Sequence, residues 1–174
     1  MDIINVEIKA KIDESHFTAI QDYLEKNSTT NLGIDLQSDY YFNSPKGRLK
    51  LRIGNVEQSL IYYQREEVKG LKTSSIKLYK PVKRPQNLLD TLKAAYGLKV
   101  EVHKKRKIYF INHVKFHLDT VKGLGKFCEI EAISKENEFT EIELRDHCSQ
   151  FMHELNIVTD QLIDASYSDL ILKH

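Results

Sequence analysis

The stretch Ile4–Asp13, INVEIKAKID, decides the fold. Val6, Ile8, Ala10 and Ile12 alternate with Asn5, Glu7, Lys9 and Lys11. Side chains of a strand point to opposite faces in turn, so the stretch reads as a strand with one apolar and one polar face. The polar face carries an amide, a carboxylate and two ammonium groups in a row. Such a row is either a solvated face or the wall of a site.

The same two-residue period recurs along the chain. Strands are expected at IDLQSDYYF (34–42), RLKLRI (48–53), QSLIYYQRE (58–66), SSIKLYK (74–80), KVEVHKKRKIYF (99–110), VKFHLDTV (114–121) and KFCEIEAIS (126–134). NSPKG (43–47) and the glycines of KGLG (122–125) supply turns. Asp13 caps a helix over 14–26 whose inward stripe is Phe17, Ile20 and Leu24. A short helix over 87–96 stops at Gly97. A third runs from Glu141 to Leu155, with Leu144, Cys148, Phe151, Met152 and Leu155 at helical spacing. DASYSDLIL (164–172) closes the chain as a short helical or irregular segment. Eight strands joined mostly by short connections, with few helices, indicate an α+β fold built on one large antiparallel sheet. A sheet of that width tends to close, because closure removes its edges.

Bulk properties narrow the function by exclusion. The chain has 174 residues, the size of a single domain over 1–174. Its 26 basic and 25 acidic residues leave a formal net charge of +1. Bulk attraction to nucleic acid or to an anionic membrane is not expected. No window approaches the ~18 apolar residues of a membrane span, and the opening MDIINVEIKA lacks a signal-peptide pattern. Cys128 and Cys148 have no metal-type spacing and read as buried thiols of a cytoplasmic protein.

Charge therefore has to act by segregation. Arg48, Lys50 and Arg52 share one strand face, Ile61, Tyr63 and Arg65 another, and Ser75, Lys77 and Tyr79 a third. Lys104 and Arg106 are in phase, as are Lys115, His117 and Asp119, and Phe127, Glu129 and Glu131. Three cations on one short strand are unfavourable on a plain wet sheet. Turned inward, these faces form a charged lumen. Cations there call for a polyanion, and carboxylates beside them can hold a divalent metal with substrate phosphates. His117, in lumen phase, reads as a hydrogen-bonded structural histidine in preference to a general base.

At this point the chain resembles the CYTH superfamily, the triphosphate tunnel metalloenzymes, and within it the class IV adenylyl cyclase-like members. The resemblance rests on Asn5-Val6-Glu7-Ile8-Lys9 against the family's E-x-E-x-K strand, DYYF (39–42), GRLKLR (47–52), the KKR ending at Arg106, and LDTVKGLGKFCEIEA (118–132). It implies an eight-stranded antiparallel closed β-barrel with a charged lumen and helices packed outside. It implies binding of a small-molecule triphosphate (ATP, inorganic triphosphate or thiamine triphosphate) with Mg²⁺ or Mn²⁺. Glu7, Glu129 and Glu131 are implied as metal ligands, and Asp119 as a metal ligand or as a partner that positions one. Lys9, Arg52, Arg65, Lys104 and Arg106 are implied as phosphate-binding, with Lys50 and Lys77 added by strand phase. Glu7, Lys9, Arg52 and Arg106 are the expected catalytic set. Cyclisation of ATP to cyclic AMP and pyrophosphate is the first expectation, a triphosphatase the second, and a non-catalytic polyanion binder the third. A homodimer is compatible with all three. The chain departs from the family at Asn5, an amide where a glutamate stands, and at Tyr63, near which many members place a lysine.

Overall fold

The computed structural model describes residues 4–65, 72–134 and 138–173, with the side chains of all of these except residues 4, 65 and 72–75. The strands are β1 (Ile4–Ile12), β2 (Thr30–Phe42), β3 (Arg48–Ile53), β4 (Gln58–Arg65), β5 (Lys72–Tyr79), β6 (Leu98–Ile111), β7 (Val114–Val121) and β8 (Gly125–Ser134). The helices are α1 (Glu14–Asn27), α2 (Pro85–Tyr96), α3 (Glu141–Glu154) and α4 (Tyr167–Leu172). None is long and apolar enough to cross a membrane.

Every strand runs antiparallel to its neighbours, in the order β1-β5-β4-β3-β2-β6-β7-β8. β1 pairs with β8 along its whole length, from Ile4 opposite Ser134 to Ile12 opposite Lys126. It pairs with β5 only from Ile4 opposite Ser75 to Glu7 opposite Lys72. That short ladder is the seam at which the ring of strands closes into a barrel.

The main hydrophobic core lies outside the barrel. Val6, Ile8 and Ala10 of β1, Val114, Phe116 and Leu118 of β7, and Cys128, Ile130 and Ala132 of β8 face outward. They are covered by Phe17, Ile20 and Leu24 of α1 and by Leu144 and Cys148 of α3. α1 begins where the Asp13 carboxylate accepts from the His16 amide at 2.8 Å. α3 begins at a reciprocal capping box between Thr140 and Glu143. On the other flank, Leu89 and Leu92 of α2 pack with Phe42, Leu51 and Val82. Both cysteines are buried and free, as their spacing suggested. A further apolar cluster contains Tyr41, Val102, Val121, Leu124, Phe127 and Tyr167, through which α4 is anchored to the barrel.

β5 differs from expectation. Ile76 lies opposite Tyr63 in the β4–β5 ladder, and both line the cavity. Lys77 therefore faces outward and is exposed, so it is not a phosphate-binding lumen residue. Polarity misassigned this strand because its outer surface is open to water, with Tyr79 63% exposed. Where neither face is a sealed core, apolar and polar residues no longer report which side is inside.

The placement of the core predicts unequal costs for truncations of one chemical type. Ile130→Ala, under α1 and α3, is expected to lose about 2–5 kcal/mol of unfolding free energy. Ile34→Ala, on an exposed stretch of β2, should stay within about 0.5 kcal/mol. Urea melts of the two variants check this, and comparable losses would place the core elsewhere.

Candidate functional site

Inside the barrel, successive strands deliver charged side chains to one cavity. Its wall includes Asn5, Glu7 and Lys9 of β1, Asp39 and Tyr41 of β2, and Lys50 and Arg52 of β3. Ile61 and Tyr63 of β4, Lys104 and Arg106 of β6, Glu129 and Glu131 of β8, and Ser166 and Tyr167 at the start of α4 complete it. The polar row of the opening strand is thus a site wall as far as Lys9. Lys11, one step further, is exposed.

Two buried carboxylates organise the cations. Asp39 accepts from Arg52 through Nε at 2.8 Å and through the second guanidinium nitrogen at 3.0 Å. It also accepts from Lys104 Nζ at 2.8 Å and Lys50 Nζ at 3.3 Å. Burial alone would raise the Asp39 carboxyl, but Arg52, Lys104 and Lys50 hold it well below the usual range. For Lys104 the balance falls the other way. Burial, reinforced by Arg52 and Arg106, pushes its ammonium down to about 7 against the pull of Asp39.

The second anchor is Asp119. It takes Arg106 through two parallel bonds of 2.7 and 2.5 Å, and the Tyr167 hydroxyl donates to it at 2.8 Å. Arg106 also donates to Glu129 at 2.6 Å. Burial raises the Tyr167 hydroxyl far above its usual value, and Asp119 and Glu129 add to that. Asp119 is fully buried and does not line the cavity. It stands as a positioning partner of Arg106, the supporting one of the two roles expected for it, with its oxygens serving a guanidinium and a phenol.

Glu129 holds Lys9 at 3.1 Å and lies 3.0 Å from His117 Nδ1. Burial would raise its carboxyl, yet Arg106 and Lys9 keep it well below the ordinary range. Lys9 Nζ also sits 3.6 Å from Glu7 and 4.2 Å above the Tyr167 ring. Asn5 is 8% exposed, and its side-chain oxygen has no hydrogen-bond partner among the described residues. Outside the cavity lining, Glu57 bridges Arg52 at 3.0 Å and Lys115 at 2.5 Å.

Of the residues expected from sequence, Glu7, Lys9, Lys50, Arg52, Lys104, Arg106, Glu129 and Glu131 converge on this cavity. The side chain of Arg65 lies outside the described residues. Sequence reasoning assigned no role to Asp39 or Tyr167. Asp39 could have been found, since it falls in strand phase with Tyr41 and stands among cationic strands. Tyr167 offered no such signal, being brought in by a helix remote in sequence.

The CYTH domain family profile matches residues 4–167. A Methanocaldococcus jannaschii protein named "Putative adenylate cyclase" is 26% identical over 97% of this chain and 98% of its own length. A solved Pyrococcus horikoshii protein of 22% identity superposes with a TM-score of 0.81, covering 98% of this chain and 99% of that one. A Hippeastrum protein described as an adenylyl cyclase candidate with a dominant triphosphatase activity has a TM-score of 0.67 at 16% identity, over 99% and 96% of the two chains. With eight strands, inward charges and a profile match along nearly its whole length, the chain belongs to the CYTH domain family.

Proposed function

We propose that this chain binds the phosphate chain of a small-molecule triphosphate in the barrel cavity, with a divalent cation, and acts on ATP to form cyclic AMP and pyrophosphate. The cavity lining carries this reading. Lys9, Lys50, Arg52, Lys104 and Arg106 stand among Glu7, Asp39, Glu129 and Glu131 in it, a surplus of one positive charge among the described lining residues when Lys104 is protonated. A triphosphate carries several negative charges, more than that surplus can neutralise. A divalent cation on the carboxylate side supplies the remainder.

The residues present fit such a cation. Glu7, Glu129 and Glu131 come from the paired strands β1 and β8, and Asn5 adds a buried oxygen with no partner among the described residues. Hard oxygen donors of this kind suit Mg²⁺ or Mn²⁺. Once bound, the cation polarises phosphoryl oxygens and lowers the pKa of an attacking hydroxyl.

The chain's own groups do the rest. Asp39 fixes Arg52 and Lys104 in place, and Asp119 fixes Arg106, so donors are aimed before substrate arrives. In cyclisation, the ribose 3′-hydroxyl gives up its proton to solvent as its oxygen bonds to the α-phosphorus, and the bridging bond to the β-phosphate breaks. The charge left on pyrophosphate is met by these cations. Lys9, held between Glu7 and Glu129, ties the phosphate side of the cavity to the carboxylate side.

A triphosphatase is the second reading, with water attacking the terminal phosphorus. The activity described for the Hippeastrum protein favours it. The two share one cavity, so fold alone does not choose between them. Incubation with ATP, inorganic triphosphate and thiamine triphosphate under Mg²⁺ and Mn²⁺ decides. Cyclic AMP plus pyrophosphate is the expected outcome. Orthophosphate supports the second reading, and binding without turnover would leave only a polyanion binder.

Binding energetics give two more expectations. Lys50→Ala should weaken inorganic triphosphate binding by about 1.5–3 kcal/mol, the scale of hydrogen bonds to charged groups. Its melting temperature should change little, since Asp39 keeps Arg52 and Lys104. Arg106→Ala is expected instead to cost about 3–5 kcal/mol of stability, because Asp119 would be left as a buried charge without its guanidinium. Calorimetry paired with denaturation separates the two. Equal stability losses would show that the cations are not held as described.

Lys104 gives the pH signature. With its ammonium at about 7, it is largely neutral in the free protein at pH 8.5. A bound polyanion favours the charged form, so binding at pH 8.5 takes up a proton and affinity falls as pH rises above about 7. Below that value the proton is already present and uptake vanishes. Calorimetry in buffers of different ionisation enthalpy measures the uptake, and Lys104→Met should abolish it. Uptake that persists in the variant would assign it to another group.

A further inference from the structure

His117 sits opposite Glu129 in the β7–β8 ladder, with Glu131 two residues further along β8. Ligand-type atoms of these three side chains lie within 4.8 Å of one another. His117 is 1% exposed. Its Nδ1 faces a Glu129 oxygen at 3.0 Å, and a carboxylate there can only accept. That contact assigns the proton to Nδ1 and leaves the lone pair on Nε2. Nε2 is itself buried and without a hydrogen-bond partner among the described residues. A buried nitrogen lone pair with nothing to bind is costly and calls for an explanation.

A carboxylate that takes Nδ1–H and orients the ring, with Nε2 left open, is the recurrent arrangement of metal-binding histidines. We propose that His117 Nε2 is a nitrogen ligand of the cavity's divalent cation, shared with Glu131 and oriented by Glu129. An imidazole donor favours borderline transition ions, whereas Mg²⁺ is best served by oxygen alone. The site therefore prefers Mn²⁺, Co²⁺ or Zn²⁺ to Mg²⁺. This inference rests on the carboxylate wall of the proposed function being a cation site. It adds a ligand that a purely oxygen-based wall lacks.

The test uses the full chain stripped of metal and needs no turnover. Zn²⁺ is titrated into ¹⁵N-labelled protein while the His117 Nε2 resonance is followed. Direct coordination shifts that resonance in step with occupancy, and this is the expected result. A resonance that stays in place while Zn²⁺ binds elsewhere overturns the proposal. His117→Gln supplies the magnitude. It should weaken Co²⁺ and Zn²⁺ by about tenfold or more, since removing even the outer partners of metal-binding histidines costs about that much, while moving Mg²⁺ affinity little. Equal losses for Mg²⁺ and Zn²⁺ would mean that the substitution merely deforms the wall, and would count against the proposal. Triphosphate binding measured separately keeps the two readings apart. A shifted Nε2 without triphosphate affinity would remove the proposed substrate and leave the nitrogen ligand standing.

Discussion

The structure depends on the burial of charge against charge inside the barrel. A lumen of lysines and arginines alone would be untenable at reduced dielectric. Asp39 and Asp119 make it tenable, each beneath one guanidinium. Lys104 and Lys50 share the first anchor, and Glu129 and Tyr167 reinforce the second. Arginine is suited to this arrangement because its planar fork matches a carboxylate bidentately. In Arg52 the remaining nitrogen of that fork reaches Glu57 at 3.0 Å. Orientation of the donors and their neutralisation are therefore one interaction viewed from two sides.

That interior sets the rest of the architecture. With ion pairs occupying much of the lumen, most hydrophobic burial moves to the outer surface. There α1 and α3 cover β1, β7 and β8, and α2 covers the β2–β3 side. The alternation of β1, β7 and β8 follows from this inversion. The apolar cluster around Phe127 and Tyr167 anchors α4, and that contact delivers a phenol to Asp119 and a ring to Lys9.

Much of this was legible in the chain because period-two alternation is a strong signal wherever one face is sealed. β1, β3 and β8 are such strands, and all their expected cavity residues arrived. β5 was misread because its outer face is wet, which removes the contrast on which phase depends. Asp119 was visible as a carboxylate in lumen phase, but phase does not distinguish a side chain lining a cavity from one lying behind an arginine. That difference is set by the lengths of both side chains and by Tyr167, which is close to Asp119 only in three dimensions. Asp39 was quoted within a motif and given no role, since isolated carboxylates among cations look ordinary until their distances are known. The unpartnered Nε2 of His117 could not be seen at all, because a missing hydrogen bond has no sequence pattern.

The pairing of β1 with β8 has a consequence for how the molecule comes into being. Glu7 and Lys9 leave the ribosome well before their partners Glu131 and Glu129, which lie seven strands further along the chain. Domains form during synthesis only as far as their contacts are local, and here the first strand must wait for the last. Until then the edge of β1 that β8 will cover is open beside an apolar outward face, the kind of edge that recruits other chains. The ammonium groups of Lys9 and Lys11 on its other face discourage such pairing during the wait. Lys9, which builds the cavity wall, thus also shields the nascent strand, and the cavity is complete only once β1 and β8 have paired.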